Sequence, residues 1–202
     1  MCYLLFVCVM TQMGQAKTVD DLRLLTKSFG QQNRFRVTTN RNNKIKYIHG
    51  LLSVPNYQDV HSIQNFLKEY KTAFGFRSVE EDLVLEKTFQ SSSGQSHFTF
   101  NQKYKGLPVL FRDLKVHTNR NGQISSISNQ FADRINLDIS PSISVSTALA
   151  IAKPLVSNRT YLKDEQLAVY VEKENSFLVY ELDLAGFPIS KTFLVDAHSG
   201  KI

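Results

Sequence analysis

Five histidines carry most of the metal-binding and acid–base chemistry open to this sequence: His49, His61, His97, His117 and His198. A zinc hydrolase helix needs His-Glu-x-x-His, because two imidazoles one turn apart share a face and the glutamate activates water. No two of these histidines are four residues apart, and no His-Glu pair occurs. A metal site would have to be assembled from separate strands, for example from His97 and His117 across a hairpin. The plainer reading of that pair is polar residues on an outward strand face. Serines are plentiful, but there is no Gly-x-Ser-x-Gly elbow. The acidic run Glu80-Glu81-Asp82 follows Ser78 at capping-box spacing, so a helix N-terminus accounts for it. Asp196, near Gly200, reads as the organiser of a terminal turn rather than a ligand. No glycine-rich phosphate loop is present.

The elements that must position these residues follow from pattern. In 97–104, Phe98, Phe100, Gln102 and Tyr104 fall on one face, and His97, Thr99, Asn101 and Lys103 on the other. A period of two predicts a half-buried antiparallel strand. Gly106 supplies a backbone that takes positive φ, and Pro108 removes an N–H just beyond it. The chain therefore turns tightly, and a second strand runs from Val109 to His117.

Before that hairpin, residues 19–29 carry a short helical pattern with Leu22, Leu25 and Phe29 on one side. Alternation in 34–37 and 45–48 flanks Asn40-Arg41-Asn42-Asn43, a hairpin signal. Pro55-Asn56 breaks the chain. Val60, Ile63, Phe66, Leu67, Tyr70 and Phe74 then fall at helical spacing, with Asp59 or Asn56 as N-cap and Gly75 as C-cap. Residues 83–89 and 123–131 complete a meander, the latter after the Asn-Gly turn of Asn121-Gly122. The order then repeats. Ser144 or Ser146 caps a helix with Ala148, Ile151, Ala152 and Leu155, limited by Pro154. Strands at 166–171, 177–184 and 191–196 follow, with turns at 174–176 and 185–188. The layout predicts an α+β fold of two small units, each a helix packed on an antiparallel sheet.

The chain has 202 residues, a formal charge of +6, and two cysteines, Cys2 and Cys8. Both cysteines lie in the uncharged apolar run 2–10, too short for the ~20 residues that span a bilayer. That run reads as a signal-peptide core, with Gly14-Gln15-Ala16 as the cleavage site. Residues 1–16 are therefore expected to be a signal peptide, leaving a mature chain without cysteine and without a membrane anchor. The basic residues are spread out, which argues against nucleic acid as the partner and leaves an acidic protein surface open.

Gln102-x-Tyr104-x-Gly106-x-Pro108-Val109, followed by a strand ending in His117, resembles the fungalysin/thermolysin propeptide motif. Phe111 departs from it, since many relatives carry Gly near that position. The ending Val195-Asp196-Ala197-x-x-Gly200, with the helix at Ala150-Ile151-Ala152 and the strand at Leu167-x-Val169-Tyr170, resembles the PepSY domain. That order is the one found in precursors of secreted thermolysin-like zinc metalloproteases of the M4 family. The resemblance implies cystatin-like units at 58–137 and 138–202, behind an N-terminal extension with a hairpin at 17–57. It implies a non-catalytic pro-region acting as intramolecular chaperone and inhibitor of a cognate protease catalytic domain. It implies no cofactor in this chain, with zinc expected only in the catalytic domain. The residues expected to carry partner binding or the structural motif are Phe100, Gln102, Tyr104, Gly106, Pro108, Val109, His117, Asp196 and Gly200. The alternative is a free-standing secreted protein-binding or protease-inhibitor module of cystatin-like shape.

Overall fold

The structure is a computed structural model that describes residues 36–50, 57–186 and 189–202. The expected signal peptide, the helical pattern at 19–29, the first residues of the 34–37 strand and the Pro55-Asn56 break lie outside the described residues. The described residues form two compact units, one comprising those up to 102 together with 112–131, the other those in 103–111 and 132–202. The boundaries expected from the sequence, 17–57, 58–137 and 138–202, differ in three respects: the hairpin tip 103–111 and residues 132–137 group with the second unit, and the hairpin expected in an N-terminal extension joins the sheet of the first. The reason for the tip is apolar packing, since Tyr104 and Val109 bury against Val169 and Val171.

The first unit holds strands β1 (Arg36–Thr39), β2 (Ile45–His49), β3 (Leu83–Gln90), β4 (Ser96–Tyr104), β5 (Leu107–Thr118) and β6 (Ile124–Asn129). β4 and β5 each cede their hairpin-tip residues to the second unit. Neighbours run β1-β2-β6-β5-β4-β3. The β1–β2, β2–β6, β5–β6 and β3–β4 pairs are antiparallel. Helices α1 (Val60–Glu69), α2 (Lys71–Phe74) and α3 (Val79–Asp82) accompany them. The single helix expected over 60–74 is broken at Tyr70, whose backbone leaves helical geometry. Asp59 is the N-cap, accepting from the Ser62 amide at 2.7 Å. Gly75 closes α2 at φ +93.

Three hairpin turns here share one design. Asn40, Ser91 and Asn119 each accept, through a side-chain oxygen, the amide four residues on. Their backbone carbonyls accept from Asn43, Gly94 and Gly122, which all adopt positive φ. That arrangement, a tight turn followed by a left-handed residue, joins twisted strands without splaying them. It explains why Asn, Ser and Gly recur at these positions.

The core of this unit is aliphatic and aromatic: Ile45, Ile63, Phe66, Leu67, Phe74, Phe100, Leu114, Ile124 and Ile127 are all buried within it. Asn129 is buried among them and was not marked by any sequence pattern. Its amide donates to the carbonyls of Ile45 and Phe74 at 2.8 and 2.9 Å, and its oxygen accepts from the Phe131 amide at 3.0 Å. Both amide hydrogens and the carbonyl oxygen are thus bonded, which is what a buried amide requires.

The second unit pairs the start of β5 with β7 (Thr160–Glu172), β8 (Asn175–Gly186) and β9 (Lys191–Asp196). The β7–β8 and β8–β9 pairs are antiparallel, while Val109 meets Val169 in parallel. Helix α4 (Val145–Ala152) is capped by Ser144. It buries Ala148 and Ala152 with Leu178, Leu182, Leu184 and Val195. β7 begins earlier than expected, at Thr160. The turn into β8 is two residues, Lys173 and Glu174, with Glu172 opposite Asn175. The α+β layout expected from the sequence is the observed one.

Candidate functional site

β4 delivers the motif residues because its alternation is complete. Ser96, Phe98, Phe100, Gln102 and Tyr104 are buried, and each residue between them is half-exposed. Phe100 is fully buried in the first core. Gln102 stands opposite Leu83 on β3 and is also buried. Tyr104 belongs to the second unit, where its hydroxyl meets both the carbonyl and the amide of Leu137, at 3.4 and 3.3 Å. The Lys105 ammonium donates to that same carbonyl at 3.2 Å and sits 5.1 Å from the Tyr104 ring centre.

Lys105 and Gly106 are the whole turn between β4 and β5, with φ of +50 and +88. Positive φ at both central residues is the type I′ geometry that matches strand twist. A Cβ on Gly106 would meet no atom within 4 Å, so the demand for glycine there is conformational rather than steric. Pro108 is the second residue of β5, and Val109 pairs with Val169. Phe111 also has positive φ, +58, inside the strand. A left-handed residue within a strand marks a bulge, and such positions favour glycine. The departure at Phe111 therefore stands where the backbone itself asks for Gly. Its ring is 72 % exposed and meets Tyr170 edge-on at 6.4 Å.

The outer face of the first unit's sheet brings together the two histidines that the sequence placed on facing strands of one hairpin. His97 on β4 and His117 on β5 approach Nδ1 to Nδ1 at 2.5 Å, with rings crossed at 72°. Phe89 stacks on His97 at 5.7 Å. Burial, the His97 ring and the Lys115 ammonium hold His117 below the usual imidazole range. Among the described residues no group of three or more His, Cys, Asp or Glu converges as a metal site.

The remaining acidic candidates have structural partners. Ser78 caps α3, and Glu80 pairs with Lys68 at 3.0 Å. Its carboxyl is lowered to about 2, chiefly by the Lys68 hydrogen bond. Asp82 accepts from the Arg77 guanidinium and amide at 2.8 and 2.7 Å.

Asp196 and Gly200 close the second unit. The Asp196 carboxylate accepts from the amides of His198 and Ser199 and from the Ser199 hydroxyl, at 3.0, 2.6 and 2.8 Å. Burial opposes its ionisation, but the Ser199 and His198 hydrogen bonds and the His198 charge outweigh burial and hold the carboxyl below its ordinary range. Gly200 takes φ +73, and a Cβ there would come within 3.0 Å of Ile151 Cδ1. The turn it completes hands the Ala197 carbonyl to the amides of Ser142 and Ile143, just ahead of α4.

Among the described residues β3 pairs with β4 alone, and every residue after Leu83 in it is exposed, including Val84, Leu85 and Phe89. Among the described residues no helix is long and apolar enough to cross a membrane.

Residues 81–131 match the family model of the Fungalysin/Thermolysin Propeptide Motif. The chain is similar to thermolysin of Alicyclobacillus acidocaldarius subsp. acidocaldarius, 29 % identical over 155 residues, covering 69 % of this chain and 28 % of that protein. It is similar to bacillolysin of Brevibacillus brevis, 22 % identical over 156 residues, covering 69 % of this chain and 30 % of the relative. The match thus spans under a third of the length of these curated relatives. Among solved structures, the Bacillus megaterium YpeB C-terminal domain aligns at TM-score 0.43 and 15 % identity, over 92 % of this chain and 93 % of that one. The motif read at Gln102, Tyr104, Gly106, Pro108 and Val109 lies within the matched segment, and the similarity to thermolysin-like proteins reaches well beyond it: residues 81–131 carry the fungalysin/thermolysin propeptide motif, and the chain resembles the pro-region of an M4-type metalloprotease.

Proposed function

We propose that this chain is a secreted, non-catalytic pro-region that assists the folding of a thermolysin-like catalytic domain and holds that domain inactive. The observation that carries the reading is the propeptide-motif match at 81–131. Its chemistry is compatible with the role, since the 202 residues contain no His-Glu-x-x-His. Zinc in this reading belongs to the catalytic partner. The second unit, a helix on a three-stranded antiparallel meander closed by the Asp196 turn, is read as PepSY-like. The apolar run at 2–10 supports export.

The physics of assistance is templating. A slow-folding β-rich partner needs a preformed surface, and an unpaired strand edge offers main-chain donors and acceptors in register. Among the described residues β3 presents such an edge, with Val84, Leu85 and Phe89 as exposed apolar contacts. The test is refolding in trans. A denatured thermolysin-like catalytic domain is diluted with or without this chain, and recovered proteolysis is measured. The chain is expected to raise the active yield severalfold over an equal mass of albumin. Excess chain is then expected to suppress the activity of the refolded enzyme. Gln102→Leu is expected to lower the yield more than it lowers the chain's own melting temperature. A yield no better than albumin's overturns the reading in favour of a free-standing binding module.

A further inference from the structure

We propose that His97 and His117 form a two-imidazole half-site for a divalent transition cation of the Zn2+ class. The inference departs from the cofactor-free expectation and stands independently of the folding role.

The geometry supplies the argument. Two Nδ1 atoms 2.5 Å apart share a single proton, one ring donating and the other accepting. Both lone-pair directions therefore converge on one point between the rings. A cation placed there takes over the shared proton's position, with each ring in the Nε2–H tautomer. Zinc bound tetrahedrally at about 2.0–2.1 Å holds two nitrogens roughly 3.3 Å apart. The rings need to separate by about 0.8 Å, which small χ rotations provide on a half-exposed face.

The surroundings favour a cation more than the chain's net charge suggests. The nearest ammonium, Lys115, is paired with Asp113 at 2.8 Å. Phe89 packs on His97 and restricts its ring. His97 also lines an open groove with Gln58, Thr88, Gln90 and Ser96, so solvent and outside donors reach it. His49 is separated from His117 by Ser126 in the strand register, which leaves it out of the chelate. No third His, Cys, Asp or Glu joins the pair among the described residues. The remaining coordination positions then fall to water or to a donor from a partner. Imidazole donors select transition ions over Mg2+ and Ca2+, which prefer oxygen.

The test is titration of the full chain with ZnCl2, with MgCl2 as control, followed by thermal melting and by Co2+ absorption. One Zn2+ per chain is expected, with a melting temperature that climbs by a few degrees as free Zn2+ passes well above Kd. His97→Ala and His117→Ala are each expected to weaken binding at least tenfold, and His49→Ala to leave it unchanged. Melting without metal is recorded for each variant. His97→Gln serves if the alanine variant does not fold. No Zn2+-dependent change, an equal response to Mg2+, or binding that survives the double variant His97→Ala/His117→Ala overturns the proposal.

Discussion

Helix α1 meets its sheet through Ile63, Phe66 and Leu67, whereas α4 meets its own through Ala148 and Ala152. Both are short helices laid on antiparallel strands, yet the side chains between helix and sheet differ by several carbons at each position. In the first unit the gap is filled by rings, with Phe66 and Tyr70 5.0 Å apart and Phe74 stacked on Phe76 at 5.7 Å. In the second the fully buried helix positions are alanines, the fully buried bulk comes from the strands through Leu178 and Leu182 with Leu184 beside them, and the helix's Val145, Leu149 and Ile151 flank the contact half-buried. One architecture is thus stabilised in two ways, and the two ways fail under opposite substitutions.

The largest effect is expected from emptying the aromatic core. Phe100→Ala removes a fully buried ring and leaves a cavity, at a cost of about 3–5 kcal/mol. Denaturant melts read the loss, and amide exchange is expected to place it in β4, β5 and β6. The converse probe is Ala148→Leu, which overfills the helix–sheet gap of the second unit and costs about 1–3 kcal/mol. If that substitution leaves the melt unchanged, the gap is wider than the alanines imply and the comparison breaks.

The turn beneath the motif sharpens the contrast between packing and backbone. A Cβ on Gly106 meets no neighbour within 4 Å, so the cost of Gly106→Val is expected to come chiefly from strain at φ +88, about 1–2 kcal/mol. Gly106→Asn is expected to recover much of that loss, because Asn tolerates the left-handed region. A melt equally damaged by both would point to a contact instead.

The smallest effect concerns acid. The folded-state pKa of Asp196 is depressed, so the group binds fewer protons folded than unfolded as pH falls into the carboxylate range. Its contribution is fully present above the ordinary carboxylate value, near 3.9, and fades as pH falls through the folded pKa. Melting temperatures of the wild type and Asp196→Asn are expected to differ at neutral pH, to begin to approach each other near pH 4, and to converge once pH has fallen through the folded pKa. A gap independent of pH would assign the turn to its backbone alone.

Much of the motif was legible before any coordinates. The alternation at 96–104 marks the buried face of β4, because strand side chains alternate whatever they pack against. Asp59, Ser78, Ser144 and Gly75 mark helix ends, because their side chains or their freedom of φ satisfy groups within four residues. The Asn-Gly turn was legible for the same local reason. Asn129 was not. A polar residue at the end of a strand reads as exposed until the carbonyls of Ile45 and Phe74 arrive beside it from far along the chain.

The sequence by itself determined what is decided within a turn or a strand: the α+β order, the caps, the hairpin turns, and the propeptide motif on a period of two. Tertiary structure decided what depends on register between distant segments. It assigned the hairpin tip 103–111 to the second unit, because Tyr104 and Val109 find their apolar partners on β7 and along 132–139. It gave Phe111 a left-handed backbone within a strand, which no local preference of phenylalanine predicts. It brought the Nδ1 atoms of His97 and His117 to 2.5 Å across a hairpin, because a strand pattern tells which face a side chain takes but only the pairing tells which side chain it meets.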